Sequence, residues 1–274
     1  MPYPGGKNGA GVYQTIINQI PPHETYIEPF VGGGAVFNNM RRAASSIVID
    51  SDASAIRPFQ KIPGITAIHG DGLRYLEQRK YTGREFIYAD PPYLMKTRRS
   101  KRAIYSQEWD TADHVRFLKL VKELPCSIAI SGYQSRLYDE TLTGWHSITF
   151  TAQTRRGPAT ETLWMNYPAP TALHDCRYLG GNYRERERIK RKAARWASNF
   201  GAMPPLERQA VLSAMVERAG SCAAISNDTG IDHRQIERCD PTAISVGSIL
   251  NDQLTPLEMV IADRFLKIPH KITK

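Results

Sequence analysis

Short apolar runs rich in β-branched and aromatic residues recur along the first two thirds of the chain, and most of them stop at an acid or a glycine. Tyr26-Ile27-Glu28, Ser46-Ile47-Val48-Ile49, Ile65 to His69, Phe86-Ile87-Tyr88-Ala89 and Ser127-Ile128-Ala129-Ile130-Ser131 read as five buried strands. Helical periodicity fills the gaps. Val12, Ile16, Ile17 and Ile20 share one face, Ala35 to Arg42 follow a glycine loop, and Asp110 to Leu124 carry Val115, Leu118 and Val121. Strands alternating with helices predict an α/β sheet covered on both faces. Two more β-rich runs, Ser147 to Thr151 and Glu161 to Tyr167, flank Thr154-Arg155-Arg156-Gly157-Pro158 and predict a hairpin with an arginine tip.

At Pro168-Ala169-Pro170 the alternation breaks, so the expected organisation is an α/β domain over 1–170 and a small helical domain over 171–274. In the second part Tyr183 to Trp196 form a basic helix, Pro204-Pro205 open another that carries Val211, Leu212 and Met215, and Thr255 to Leu266 read as a last amphipathic helix. Between them, 223–238 place Ile225, Ile231 and Ile236 around Gly230. This resembles a helix-turn-helix in which His233, Arg234, Gln235 and Arg238 would read DNA, although bundle packing explains the same spacing.

Charge narrows the partner. A net charge of +9 over 274 residues points to a polyanion, with nucleic acid first. No apolar stretch is long enough to span a membrane, and the N-terminus lacks the plan of a signal peptide, so a cytoplasmic protein is expected. Cys126, Cys176, Cys222 and Cys239 are too scattered for a disulfide framework. His174 with Cys176 and His233 with Cys239 lack the compact pairing of a zinc site, and no metal is expected.

The chemistry gathers at the strand ends. Asp90-Pro91-Pro92-Tyr93 follow the fourth strand, where an α/β sheet opens its ligand crevice. The prolines stiffen the turn and offer carbonyls without donors. Asp90 and the Pro91 carbonyl can accept both hydrogens of an exocyclic amino group while Tyr93 stacks on the attached base. Pro29-Phe30-Val31-Gly32-Gly33-Gly34 form a strand-to-helix glycine loop whose spacing fits neither a dinucleotide fingerprint nor a phosphate loop, which favours a small adenosine ligand without phosphate. Asp50 ends the second strand, placed to accept ribose hydroxyls, and Asp71 offers a further carboxylate after the third. Asp52 reads as a helix cap, and Lys7 is placed to meet a carboxylate or phosphate across the sheet edge.

Taken in order, Tyr3-Pro4-Gly5-Gly6-Lys7, Phe30 to Gly34 and Asp90 to Tyr93 resemble the motifs of the Dam-type, or D12 class, adenine-N6 DNA methyltransferases, over roughly Tyr3 to Tyr167. The resemblance implies a Rossmann-like class I methyltransferase sheet and S-adenosylmethionine as cofactor. It implies cofactor contacts at Tyr3, Lys7, Phe30, Gly32, Gly34, Asp50 and Asp71, and catalysis at Asp90, Pro91, Pro92 and Tyr93. The reaction implied is methyl transfer to N6 of a flipped adenine in double-stranded DNA; RNA or single-stranded DNA, and a catalytically silent DNA-binding protein, are the alternatives. The short basic form is similar to phage and prophage members, which by analogy implies a role in restriction evasion inside a host cell.

Three basic groups stand out, one of them beside this site. Lys96, Arg98, Arg99, Lys101 and Arg102 crowd the loop after the catalytic turn and are expected to clamp phosphate. Arg155 and Arg156 at the hairpin tip serve either solubility or entry into a DNA groove. Arg188, Lys190, Arg191 and Lys192 on the basic helix are expected on phosphate. Only Gly72 to Ala89 separate Asp71 from Asp90, too little for an inserted recognition domain, so relaxed or very short sequence specificity is expected.

Overall fold

The computed structural model describes residues 6–9, 11–98, 108–154 and 157–225. They fall into two compact units, 1–202 and 203–274. The helix expected over Tyr183 to Trp196 lies within the first unit.

The first unit is built on seven strands: β1 (Thr25–Glu28), β2 (Ser45–Asp50), β3 (Thr66–His69), β4 (Glu85–Ala89), β5 (Ser127–Gly132), β6 (His146–Thr154) and β7 (Gly157–Met165). Their order is β3-β2-β1-β4-β5-β7-β6. The first five run parallel, and β7 pairs antiparallel with both β5 and β6. This is a Rossmann-like sheet with an antiparallel strand inserted near one edge, the kind of fold that the resemblance implied.

Alternation along the strands divides the core into two layers. Tyr26, Val48, Phe86 and Tyr88 pack with Val12, Ile16 and Ile17 of α1 (Val12–Ile17) and with Val36 and Phe37 of α2 (Ala35–Asn39). Their strand neighbours Ile27, Ile47, Ile49 and Ile87 face the other way. They meet Leu73 and Leu76 of α4 (Gly72–Gln78), Phe117, Leu118 and Val121 of α5 (Thr111–Glu123) and Tyr138 of α6 (Arg136–Thr141).

Short polar side chains set the helix starts, because the first amides of a helix have no partner inside it. Asp52 caps α3 (Ala53–Ile56) through the Ser54 amide, as expected, and Asp110 forms a reciprocal capping box with Asp113 at α5. Helix α2 stops at Asn39, short of the expected Arg42. There the chain turns away so that the Arg41 amide reaches the buried Asp175 carboxylate at 2.8 Å, while Arg42 lies over the Phe37 ring. Helix α7 (Tyr183–Ala202) has no buried residue. In the second unit the described element is α8 (Pro205–Ile225), with Leu206, Met215 and Val216 exposed.

Candidate active site

The strand order reverses between β1 and β4. From β1 the chain winds outward through β2 and β3, and from β4 it winds the other way, so the loops after β1 and β4 part and leave a crevice at their carboxyl ends. Asp90 emerges there with both oxygens engaged. Oδ2 accepts from Lys7 Nζ at 2.6 Å and Oδ1 from Ser131 Oγ at 2.7 Å. Ser131 is in turn 3.0 Å from the Tyr88 hydroxyl.

Lys7 does more than meet one carboxylate. Its ammonium also lies 3.4 Å from Glu161 Oε2 and donates to the Tyr93 hydroxyl at 2.7 Å, and Tyr93 donates to Glu161 at 2.7 Å. Lys7, Glu161 and Tyr93 are all buried. A cation set between two carboxylates satisfies the rule that buried charge needs an opposite charge and hydrogen bonds. Glu161 reaches the network because β7 runs against β5: Thr162 pairs with Gly132, so the residue before it passes beyond the carboxyl end of β5. Below the crevice Glu28 closes β1 fully buried, accepting from the Tyr26 hydroxyl at 2.7 Å. Burial, together with the nearby Asp90 charge, pushes its carboxyl up to about 8.

Tyr93 is only 5% exposed, and its ring meets Tyr133 edge-on with centroids 4.7 Å apart. A base stacking on Tyr93 requires Tyr133 to give way.

The glycine loop is shaped for close approach. Gly32 and Gly34 have φ of 47° and 60°, backbone that other residues rarely adopt, and a Cβ on Gly34 would lie 2.4 Å from the Phe59 ring. Asp50 fastens this loop: its Oδ2 accepts from the Gly32 amide at 2.7 Å and its Oδ1 from the Asp52 amide at 2.8 Å. Burial raises the Asp50 carboxyl. A carboxylate has about four acceptor positions, so two remain for ribose hydroxyls. Phe30 packs edge-on against Trp109 and Phe117. A side-chain-free loop over one fixed acid fits an adenosine-bearing cofactor. Asp71 is engaged differently from the expectation: its Oδ1 caps α4 through the Leu73 amide at 2.8 Å and the Arg74 amide at 3.3 Å.

Arg98 corrects the reading of the basic loop. Instead of facing phosphate it is buried, donating from Nε to the Tyr93 carbonyl at 2.5 Å and from both terminal nitrogens to Glu108 at 2.9 and 2.5 Å. A guanidinium fork matched in two bonds by a carboxylate ten residues on can stay inside, because each charge keeps an opposite charge and hydrogen bonds in place of water. Lys96 is exposed beside it, as are Arg188, Lys190, Arg191 and Lys192 on α7. Tyr3, Arg99, Lys101, Arg102, Arg155, Arg156 and the helix-turn-helix candidate with Ile231, His233, Arg234, Gln235, Ile236 and Arg238 lie outside the described residues. Among the described residues no group of side chains has the makings of a metal site, and no helix is long and apolar enough to cross a membrane.

Ser131 and Glu161 are site residues that the sequence reading passed over. Ser131 carried a signal, being the polar end of a buried strand in the manner of Asp50. Glu161 carried none, since it opens a β-rich run and reaches the site only through the reversed strand.

Residues 3–64 match the model of the D12 class N6 adenine-specific DNA methyltransferase family. No curated protein sequence matches the chain significantly. Among solved structures, the chain is similar to an S-adenosylmethionine-dependent methyltransferase from Agrobacterium tumefaciens, at 16% identity and TM-score 0.37, covering 57% of this chain and 60% of that one. It is also similar to an rRNA methylase from Streptococcus thermophilus, at 10% identity and TM-score 0.39, covering 58% and 97%. The 23S rRNA methyltransferase ErmE covers 70% and 88%, at 14% identity and TM-score 0.37.

Proposed function

We propose that this protein transfers a methyl group from S-adenosylmethionine to the N6 amino group of adenine in DNA. The observation that carries the proposal is the Asp90-Pro91-Pro92-Tyr93 turn at the reversal of strand order, with Asp90 held by Lys7 and Ser131 beside the Gly32 to Gly34 loop. The family match over 3–64 supports it. When bound, the cofactor supplies an electrophilic methyl group, and Phe30, Gly32, Gly34 and Asp50 are the residues that would hold it.

The chain's own residues prepare the nucleophile. An exocyclic amino group on a purine is a weak nucleophile because its lone pair is delocalised into the ring. Accepting both N–H hydrogens, at Asp90 and at the Pro91 carbonyl, favours a pyramidal nitrogen whose lone pair points away from the ring. Lys7 and Ser131 fix Asp90 so that this acceptor is in place before the base arrives, and the carboxylate keeps acceptor positions beyond the two already used. Adenine must leave the duplex to enter, at a cost of a few kcal/mol. After transfer the nitrogen sheds one proton, which Asp90, with 20% of its side chain exposed, can pass to water.

Specificity is expected to be relaxed, since α4 and β4 fill the interval between Asp71 and Asp90. The test is to incubate the protein with isotopically labelled cofactor and either DNA or RNA and to identify the methylated nucleoside by mass spectrometry. Labelled N6-methyldeoxyadenosine is the expected product; label confined to RNA, to cytosine or to protein overturns the proposal. Single-base mapping of the modified DNA should show adenines methylated in many contexts or within a site of one to three bases. Restriction to one longer motif overturns the relaxed specificity alone.

A further inference from the structure

We infer that one face of α7, the row Arg184, Arg188, Arg191 and Arg195, is a docking surface for the phosphate backbone of duplex DNA. These residues stand at i, i+4, i+7 and i+11, and at about 100° per residue they fall within an arc of roughly 60°. All four are exposed. The row spans about 16 Å of helix, the length over which each strand of a duplex presents roughly five phosphates.

This face differs from the rest of the helix in side-chain type more than in ion pairing. Arg188 has its nearest carboxylate, Glu185, at 3.8 Å, and Arg184, Arg191 and Arg195 have no ion pair among the described residues. Lys190, on another face, has Glu187 at 3.8 Å, and Arg186 is half-buried with its guanidinium turned toward the Gly180 carbonyl. The row is also made wholly of arginine, whose rigid fork matches phosphate oxygens in pairs, whereas the lysines of this helix stand off it. A solvated helix face needs only mixed charge; a row of one sign and one fork geometry answers a polyanion with regular spacing. An anionic membrane is the poorer fit: Tyr183 and Trp196 are exposed, but Ile189 and Phe200 are half-buried, so the helix offers lipid no continuous apolar face.

The surface is tested by binding alone, so its failure leaves the proposed reaction standing, and failure of the reaction leaves this surface to be judged separately. Fluorescence anisotropy with a labelled duplex of about 30 base pairs gives the affinity of the full-length protein across a salt series. Two variants remove the same charge: Arg188→Gln with Arg191→Gln on the row, and Arg186→Gln with Lys190→Gln off it. Each phosphate contact contributes about 0.9 to the slope of log affinity against log salt. The row variant should lose about 1.8 from the slope and bind at least tenfold more weakly in low salt, while the off-row variant keeps a slope close to the parent's. Arg184→Gln with Arg195→Gln should repeat the row result, which guards against a local fault in either variant. Equal slopes for row and off-row variants overturn the inference. So does wild-type DNA binding in both row variants, including the case in which they lose binding only to phosphatidylserine vesicles.

Discussion

Two sets of cations in the first unit are treated in opposite ways. Lys7 and Arg98 are shut inside with side chains 4% exposed, each held to carboxylates by ion pairs of 2.5 to 2.6 Å. Apart from the half-buried Arg186, the cations of α7 stand in water, and the ion pairs made there by Arg188 and Lys190 are 3.8 Å long. The physical reason is solvation. A buried charge without a partner is costly, so its partners must be close and fixed, whereas an exposed pair gains at most about 1 kcal/mol and need not form. The comparison teaches that in this chain an inward cation is committed to shaping the Asp90 to Tyr93 turn, while an outward one remains available to something that is not part of the protein.

The sharpest way to break the comparison is at the acid that Lys7 holds. Asp90→Ala should lower methyl transfer by about 10²–10³-fold or more, the scale expected when a group that stabilises the transition state is lost. Cofactor affinity by calorimetry should survive, because Asp90 is not in the glycine loop. Full turnover in the variant would end the assignment. Next comes the cation itself: Lys7→Met should destabilise the fold by about 3 kcal/mol in denaturant melts, since it leaves Asp90 and Glu161 close together without a counter-charge. Lys190→Met, removing the same charge from the outward set, should stay within about 0.5 kcal/mol of the parent. Equal losses would erase the distinction between the two sets.

Acid offers a third approach. His23 is stacked on His174 at 4.0 Å and on Phe86 at 5.2 Å, and burial, with the His174 charge second, lowers its imidazole to about 4. Burial brings His114 to about 4 as well. The unfolded chain takes up these protons near pH 6.5 and the folded one does not, so the stability they contribute is complete above about pH 6.5 and lost as pH falls toward 4. The melting temperature should drop across that interval, and His23→Phe should flatten the drop without removing it. An unaltered pH profile would show that the ring is solvated. A smaller effect is expected at Asp50→Ala, which should weaken cofactor binding by about 1–3 kcal/mol by removing a charged acceptor; an unchanged dissociation constant would refute its role.

What the sequence disclosed and what it hid follow from the range of the interactions. The glycine loop, the Asp90 turn and the Asp52 cap were legible because each is written in residues adjacent along the chain. Asp71 carried a legible cap signal too, an acid directly before a helix, but its place at a strand end pointed equally to the crevice. Arg98 was misread because its partner Glu108 is ten residues further along the chain, and a run of cations looks the same whether or not one of them turns inward. Glu161 was invisible for a stronger reason. Nothing near it in the sequence announces a site, and only the antiparallel insertion of β7 between β5 and β6 carries it there.

That insertion sets a parity on how the hairpin can change. Glu161 faces inward because it sits opposite Phe150 in the β6 ladder, and side chains alternate faces at every step along β7. One residue added between Glu161 and Thr162 would turn the carboxylate outward and leave Lys7 and Tyr93 without it, even though every residue of the site was retained. Residues added on the Gly157 side of Glu161 would lengthen the arm and keep the carboxylate where it is, because Thr162 stays paired with Gly132. Lengthening or shortening the strand on that side is therefore the route by which the hairpin tip can be remodelled while the site beneath it is conserved.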